Sequence, residues 1–218
     1  MKKPRSITPK SAQSQLVIKL LEGKRTKLEY EKFRKQLLQQ NETMIAEFMT
    51  KHIVNHSGEY LPGIKNKKYF DRTEYEGQFL ADRREGFGVL HQNNNEKYIG
   101  EWKGDIMHGE GVYIFANGER YEGRFKKGVR NGFGKYTFFN GNYYEGDWVD
   151  GKRDGFGTYY FFGTDELYKG QFFRGNRHGK GVFTYAFGDV YEGDFKENKK
   201  HGLGKLTYSN GDVYDGEW

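Results

Sequence analysis

Tyr121-Glu122-Gly123-Arg124-Phe125-Lys126-Lys127-Gly128-Val129-Arg130-Asn131-Gly132-Phe133-Gly134-Lys135-Tyr136-Thr137-Phe138-Phe139-Asn140-Gly141 reads as two short strands and two turns. Side chains alternate across an extended strand, so Tyr121, Gly123 and Phe125 share one face while Glu122 and Arg124 take the other. Polar turn formers follow, and Gly132, Gly134, Tyr136 and Phe138 then line one face of a second strand. Asn140-Gly141 signals a two-residue turn with positive φ, and Asn117-Gly118 and Asn210-Gly211 repeat that signal.

The same phrase recurs along the chain. Its tyrosines are Tyr75, Tyr98, Tyr121, Tyr144, Tyr168, Tyr191 and Tyr214, spaced 23, 23, 23, 24, 23 and 23 residues apart. Two residues after each stands a glycine: Gly77, Gly100, Gly123, Gly146, Gly170, Gly193 and Gly216. A Gly-x-Gly pair opens 11 residues after each of the first six tyrosines, from Gly86/Gly88 to Gly202/Gly204. Two anchors in phase over six cycles mark an array of stacked supersecondary units, and their tyrosines and glycines are structural positions. Glycine at these intervals would break any long helix. The fold class is therefore mainly β: a single-layer twisted antiparallel meander of stacked β-hairpins, preceded by N-terminal α-helices. Tyr113, Phe115, Tyr136, Phe138, Tyr159, Phe161, Phe183 and Tyr185 share the glycine face, where a ring can cover the backbone a glycine leaves bare. An extended aromatic face with no second sheet over it is a candidate partner-binding groove of about 58 Å over six units at two strands each.

The pattern resembles the MORN repeat family, whose unit runs approximately Tyr-Glu-Gly-x-Trp, a basic turn, Gly-x-Gly, an aromatic pair and Asn-Gly. It covers residues 75–218 as six units and the first strand of a seventh. The resemblance implies a rod or half-pipe acting as a scaffold or binding module, as in pure-repeat ciliary radial-spoke components. Two departures fall in turns: an extra residue near Gly163-Thr164, and Asn93-Asn94-Asn95 in the first unit.

The N-terminal part is of another kind. Residues 1–56 hold 12 Lys/Arg against 5 Asp/Glu, a net +7, whereas residues 57–218 hold 24 against 25, a net −1. Thr8-Pro9 starts one helix carrying Leu16, Val17, Leu20 and Leu21 and stopped by Gly23. Thr26-Lys27-Leu28-Glu29 has the spacing of a capping box for a second, with Phe33, Leu37, Phe48 and Met49 on its apolar side and an expected bend at Asn41-Glu42-Thr43. Residues 57–74 read as a linker and a degenerate half-repeat in which Tyr69-Phe70 stand where Phe138-Phe139 stand. The helices are expected to cover the first sheet edge or the aromatic face beside it, and self-association or a partner strand is expected at the Trp218 end.

The chemistry of enzymes is hard to place on this pattern. His108, His178 and His201 each precede a Gly-x-Gly pair, but equivalent positions two strands apart are roughly 9–10 Å from one another, too far for one metal shell. Glu76, Glu122, Glu145 and Glu192 recur in the same way and make a lattice rather than a catalytic pair. No phosphate-loop motif, nucleophile elbow or cysteine occurs. The expectation is a non-enzymatic protein with no catalytic residue, metal or cofactor, in a reducing compartment and without a membrane-spanning segment. Three readings of function stay open: a cytoplasmic scaffold of a cytoskeletal or ciliary axonemal assembly, a module for phosphoinositide or other anionic membrane lipid using the basic helices, and the regulatory repeats of a larger enzyme. Nucleic acid is disfavoured as a partner, because the rings follow the repeat rather than the charge.

Overall fold

The computed structural model describes residues 26–55 and 57–218. The first expected helix, with Leu16, Val17, Leu20 and Leu21, lies outside the described residues. Among the described residues, one helix is followed by 14 strands, each hydrogen-bonded to the next, in a single open antiparallel sheet. They are β1 (Ile64–Lys68), β2 (Glu74–Leu80), β3 (Arg83–His91), β4 (Lys97–Lys103), β5 (Ile106–Ile114), β6 (Arg120–Lys126), β7 (Val129–Thr137), β8 (Tyr143–Val149), β9 (Lys152–Phe161), β10 (Glu166–Phe173), β11 (Asn176–Thr184), β12 (Val190–Lys196), β13 (Lys199–Thr207) and β14 (Val213–Glu217).

The register explains why tyrosine and glycine recur together. Gly123 of β6 lies opposite Gly134 of β7, and the Tyr121 ring lies flat over that pair. A methyl at Gly134 would sit 2.3 Å from the Tyr121 hydroxyl and 2.6 Å from its ring carbon, so no side chain larger than hydrogen fits there. The hydroxyl donates to the Arg124 carbonyl at 3.0 Å. Tyr75, Tyr98, Tyr121, Tyr144, Tyr168 and Tyr191 are each fully buried in this way. The ring over the glycines is thus the first-strand tyrosine, and the Tyr113-to-Tyr185 rings expected in that role stand beside it.

Large aromatics weld the units together. Tyr121 meets the edge of Phe125 in its own unit at 5.1 Å and of Trp148 in the next at 5.3 Å. Tyr75 does the same with Phe79 and Trp102, and Tyr191 with Phe195 and Trp218. Edge-to-face geometry of this kind adds about 1 kcal/mol per pair beyond burial. One bulge per unit, between Gly123 and Phe125 in the case of β6, offsets the register beside the first glycine of Gly-x-Gly. Those glycines have positive φ, from +60° at Gly109 to +109° at Gly155. In four units the residue three after the tyrosine caps the bulge, as when Phe87 N–H donates to Gln78 Oε1 and Phe156 N–H to Asp147 Oδ2, each at 2.9 Å, whereas Arg124 at that place donates to Glu110 instead.

The turns differ from the expectation. At Asn117-Gly118 only the glycine has positive φ, and hydrogen bonds from Gly118 N–H to Phe115 O and from Phe115 N–H to Glu119 O enclose a three-residue loop. Asn117 Oδ1 accepts from the Glu119 N–H, so the asparagine acts through its side chain rather than through a left-handed backbone. The two-residue turns with positive φ at both positions lie at the opposite ends of the strands, for example Gly104-Asp105 and Asp150-Gly151. From Gly104-Asp105 onward each such turn reaches back to the previous unit, as Gly151 N–H does to Arg130 O at 2.9 Å.

Burial pushes the Tyr121 and Tyr168 hydroxyls up to about 12, and those of Tyr75, Tyr98 and Tyr144 rise in the same direction for the same reason. A pKa raised by folding contributes stability that is complete below the unfolded value of 10 and is lost as pH climbs through the folded value. Each locked tyrosine then removes about 1.4 kcal/mol per pH unit above that point. Steep cooperative unfolding is expected between about pH 10 and 12, with the locked tyrosines ionising only as the sheet melts. Tyrosinate absorbance recorded beside far-UV circular dichroism checks this; all 17 tyrosines titrating together on an intact sheet would contradict it.

Candidate functional site: the aromatic face and the face behind it

Beside the tyrosine locks, the second strands carry a further line of rings on the same face. Tyr113, Phe115, Tyr136, Phe138, Tyr159, Phe161, Phe183 and Tyr185 form one unbroken series, with successive centroids 4.5–5.9 Å apart and planes tilted by 43–54°. Tyr136 and Phe183 are almost covered, at 8% and 7% exposure, and belong to the core. The other six are half-buried, packed against the core at one edge and open at the other. Hydroxyls fix part of the series: Tyr113 donates to Glu96 and Tyr136 to Glu119, both at 2.6 Å, while Asn142 donates to the Tyr159 oxygen. Burial and the Glu96 hydrogen bond push the Tyr113 hydroxyl up to about 12. The arrangement offers a rigid, apolar, periodic surface with fixed polar points along one margin and no chemically reactive group at its centre.

The second helix does not occupy this face. Helix α1 (Lys27–His52) starts at a capping box, with Thr26 accepting from Glu29 N–H and Glu29 accepting from Thr26 N–H. It crosses the opposite face, from Phe162 beside Tyr30 and Phe33 to Phe87, on which His52 stacks at 4.2 Å. Burial, with Lys51 beside it, holds His52 below the usual histidine range, which favours the neutral ring in that stack. Ile45 within the helix and Ile53 just past its end pack with Val89, Ile99 and Ile114. The expected cover of the first edge or of the aromatic face is therefore corrected: the helix lies behind β3 to β9 and leaves the ring series open.

No bend occurs at Asn41. The helix runs unbroken because Asn41 is buried and used: its Nδ2 donates to Gly118 O at 3.1 Å, and its Oδ1 accepts from Arg120 at 2.9 Å. Arg120 also holds the Glu122 carboxylate 2.6 Å from its Nε, an ion pair without hydrogen-bond alignment at that nitrogen. The patch beneath α1 departs from the repeat. Ile99 stands where other units have Glu76, Glu122, Glu145, Lys169 and Glu192, while Val89 and Val112 hold a place that Val182 shares and Lys135 and Lys205 also occupy. Ile99 was the signal of a docking site, legible only when units are compared position by position.

Of the other candidates, His108 and His178 are half-buried and His201 is exposed, each in its own unit. Among the described residues no three acidic or histidine side chains are grouped to hold a metal ion, and no helix is long and apolar enough to cross a membrane.

Six segments match the MORN repeat family: residues 75–97, 98–120, 121–143, 144–163, 168–190 and 191–213, more than half of the chain. The chain belongs to the MORN repeat family. Its MORN units are the hairpins described above, and the fourth match stops at Gly163, where the additional residue lies. MORN repeats make this a repeat scaffold of the protein-interaction type, a family of binding modules rather than typical enzymes. No curated protein matches the chain. Among solved structures, the TCP domain of SAS-4 from Drosophila melanogaster, in complex with a proline-rich motif of Ana2, aligns over 76% of this chain and 88% of its own, at 15% identity and a TM-score of 0.46.

Removing the buried anchor of α1 tests the assignment of the two faces. Asn41→Ala leaves Arg120 short of a partner under the helix and is expected to cost about 2 kcal/mol in urea unfolding. Amide exchange should quicken in α1 and in β3 to β6 while β10 to β13 stay protected. Uniform loss of protection along the sheet would contradict docking on these strands.

Proposed function

We propose that this chain is a non-enzymatic scaffold that holds partner proteins on its aromatic face within a cytoskeletal or ciliary axonemal assembly in the cytoplasm. The observation that carries the reading is the unbroken ring series on the face that α1 leaves open. Half-buried aromatic rings on a rigid frame suit binding, because little conformational entropy is lost when they are covered. The aromatic line is periodic and has no singular centre, which fits holding an elongated partner better than turning over a small substrate. The axonemal setting rests on the likeness of a pure-repeat chain to radial-spoke components and on no feature of the face itself.

The experiment compares wild type with Phe138→Ala and Phe161→Ala in quantitative pull-down from ciliary extract and from cytosol, alongside thermal melting and co-sedimentation with anionic vesicles. Each truncation is expected to weaken partner capture by about 2 kcal/mol with only a small fall in melting temperature. Equal loss of capture and stability would make the rings purely structural. Capture from cytosol but not from ciliary extract would remove the axonemal setting, and salt-sensitive vesicle binding without protein capture would replace the scaffold by a membrane module.

A further inference from the structure

Two residues before each Gly-x-Gly pair stand Arg84, Met107, Arg130, Arg153, Arg177 and Lys200, one to a unit. The arginines lie on the aromatic face and stack on its rings: Arg130 over Trp148 at 4.4 Å, Arg153 over Tyr159 at 5.3 Å and Arg177 over Phe183 at 5.3 Å. What differs between units is the counter-charge. Arg84 has one, since Asp105 of the next turn accepts from its Nε at 3.1 Å and also offers its backbone carbonyl at 3.0 Å. At the equivalent place the later units have Gly151, Gly175 and Asn198. There the backbone contact persists, with Arg130 donating to Gly151 O at 2.9 Å, Arg153 to Gly175 O at 2.5 Å and Arg177 to Asn198 O at 2.8 Å. The carboxylate is gone.

We propose that Arg130, Arg153 and Arg177 are a row of anion-receiving sites, and that their ligand is an acidic helix of another polypeptide presenting carboxylates at seven-residue intervals. The proposal rests on the reading of the aromatic face as a protein-binding surface and specifies its partner. A guanidinium carries five donors, and each of these arginines spends only one kind of contact on a single backbone carbonyl. Among the described residues no carboxylate forms an ion pair with any of the three, and their half-buried charges repel one another along the row. Glu96 and Glu119 on the same face are engaged by tyrosine hydroxyls, and Glu166 faces Arg177 without an ion pair to it. The guanidiniums of the row are therefore left without a carboxylate in contact.

Spacing selects the ligand. Two strands per unit place successive arginines roughly 9.6 Å apart, and seven residues of α-helix advance about 10.5 Å. Carboxylates at positions i, i+7 and i+14 thus follow the row, and the apolar residues between them rest on the half-open rings of Phe138, Tyr159 and Phe161. A bidentate carboxylate on each partly desolvated guanidinium is the strong form of this interaction.

The first unit supplies the test. Asp105 holds its place at φ 69°, and a Cβ at Gly151 or Gly175 would meet nothing within 4 Å, so Gly151→Asp with Gly175→Asp installs the missing counter-charges without removing an arginine, at the cost of backbone strain from φ of 78° and 95°. The probe is a synthetic helical peptide with glutamate at three positions seven apart and leucine between them, compared with its glutamine counterpart and with a peptide whose glutamates are five apart. Full-length protein is titrated with each by fluorescence anisotropy at low and moderate salt. The expected result is at least tenfold tighter binding of the seven-spaced glutamate peptide, lost in the double aspartate variant and in Arg153→Gln, with the double variant still melting cooperatively although strain at the two positive-φ sites lowers its melting temperature. Equal binding of all three peptides, weakened by Phe161→Ala, would overturn the row while leaving the protein-binding face in place. Binding of none would overturn both, and binding to anionic vesicles in preference to the peptide would assign the row to lipid instead.

Discussion

A tyrosine ring lying flat across two facing glycines is the contact on which the other features of the sheet depend. It requires glycine on both strands, because any Cβ at Gly134 would enter the space of the Tyr121 hydroxyl. It sets the register, because the ring covers Gly123 and Gly134 only when those residues face each other. It also creates the socket into which the edge of Trp148 fits from the next unit. One side chain thus joins strand to strand and unit to unit, so a single layer of sheet does without a second layer to bury its tyrosines. The arrangement is nearest-neighbour in character, which is the physical meaning of a repeat protein.

Much of this was legible in the sequence because the lock is local. Tyrosine, glycine and Gly-x-Gly stand at fixed offsets, and those offsets lead to paired antiparallel strands without knowledge of anything remote. The errors arose where the determinant was not local. Asn117-Gly118 looked like a two-residue turn, but loop length is decided by where Phe115 and Glu119 pair across the strands, and that pairing admits three residues. Asn41 looked like a weak point in α1 because a polar residue interrupts the apolar stripe. In the fold it meets Gly118 and Arg120, some 77 and 79 residues away, and no pattern inside the helix reveals such partners. The candidate ring series could be placed on one face from alternation alone. Alternation could not tell that Tyr136 and Phe183 sink into the core while their neighbours stay open.

The two faces divide the labour of the sheet. Behind it, α1 lies over Ile99, which replaces a residue charged in every other unit, so this departure from the repeat marks a surface already taken. In front, the repeat is kept and the rings remain uncovered. A comparable departure on that front face, aspartate at 105 and glycine at 151 and 175, separates an arginine answered within the chain from arginines that are not. In a repetitive protein, the consensus reports what builds the array. The exceptions report what the array does.

The most direct test of nearest-neighbour locking is to remove one whole unit. Deleting residues 168–190 joins Leu167 to Tyr191, restores the phase of the repeat and lies away from α1. If each tyrosine couples only to its own and the next unit, the shortened chain should fold to a sheet with two strands fewer, with amide protection in β2 to β8 unchanged and stability reduced by one unit's share. A shortened chain that fails to fold, or that loses protection throughout β2 to β8, would show that the sheet depends on long-range order and would contradict the account.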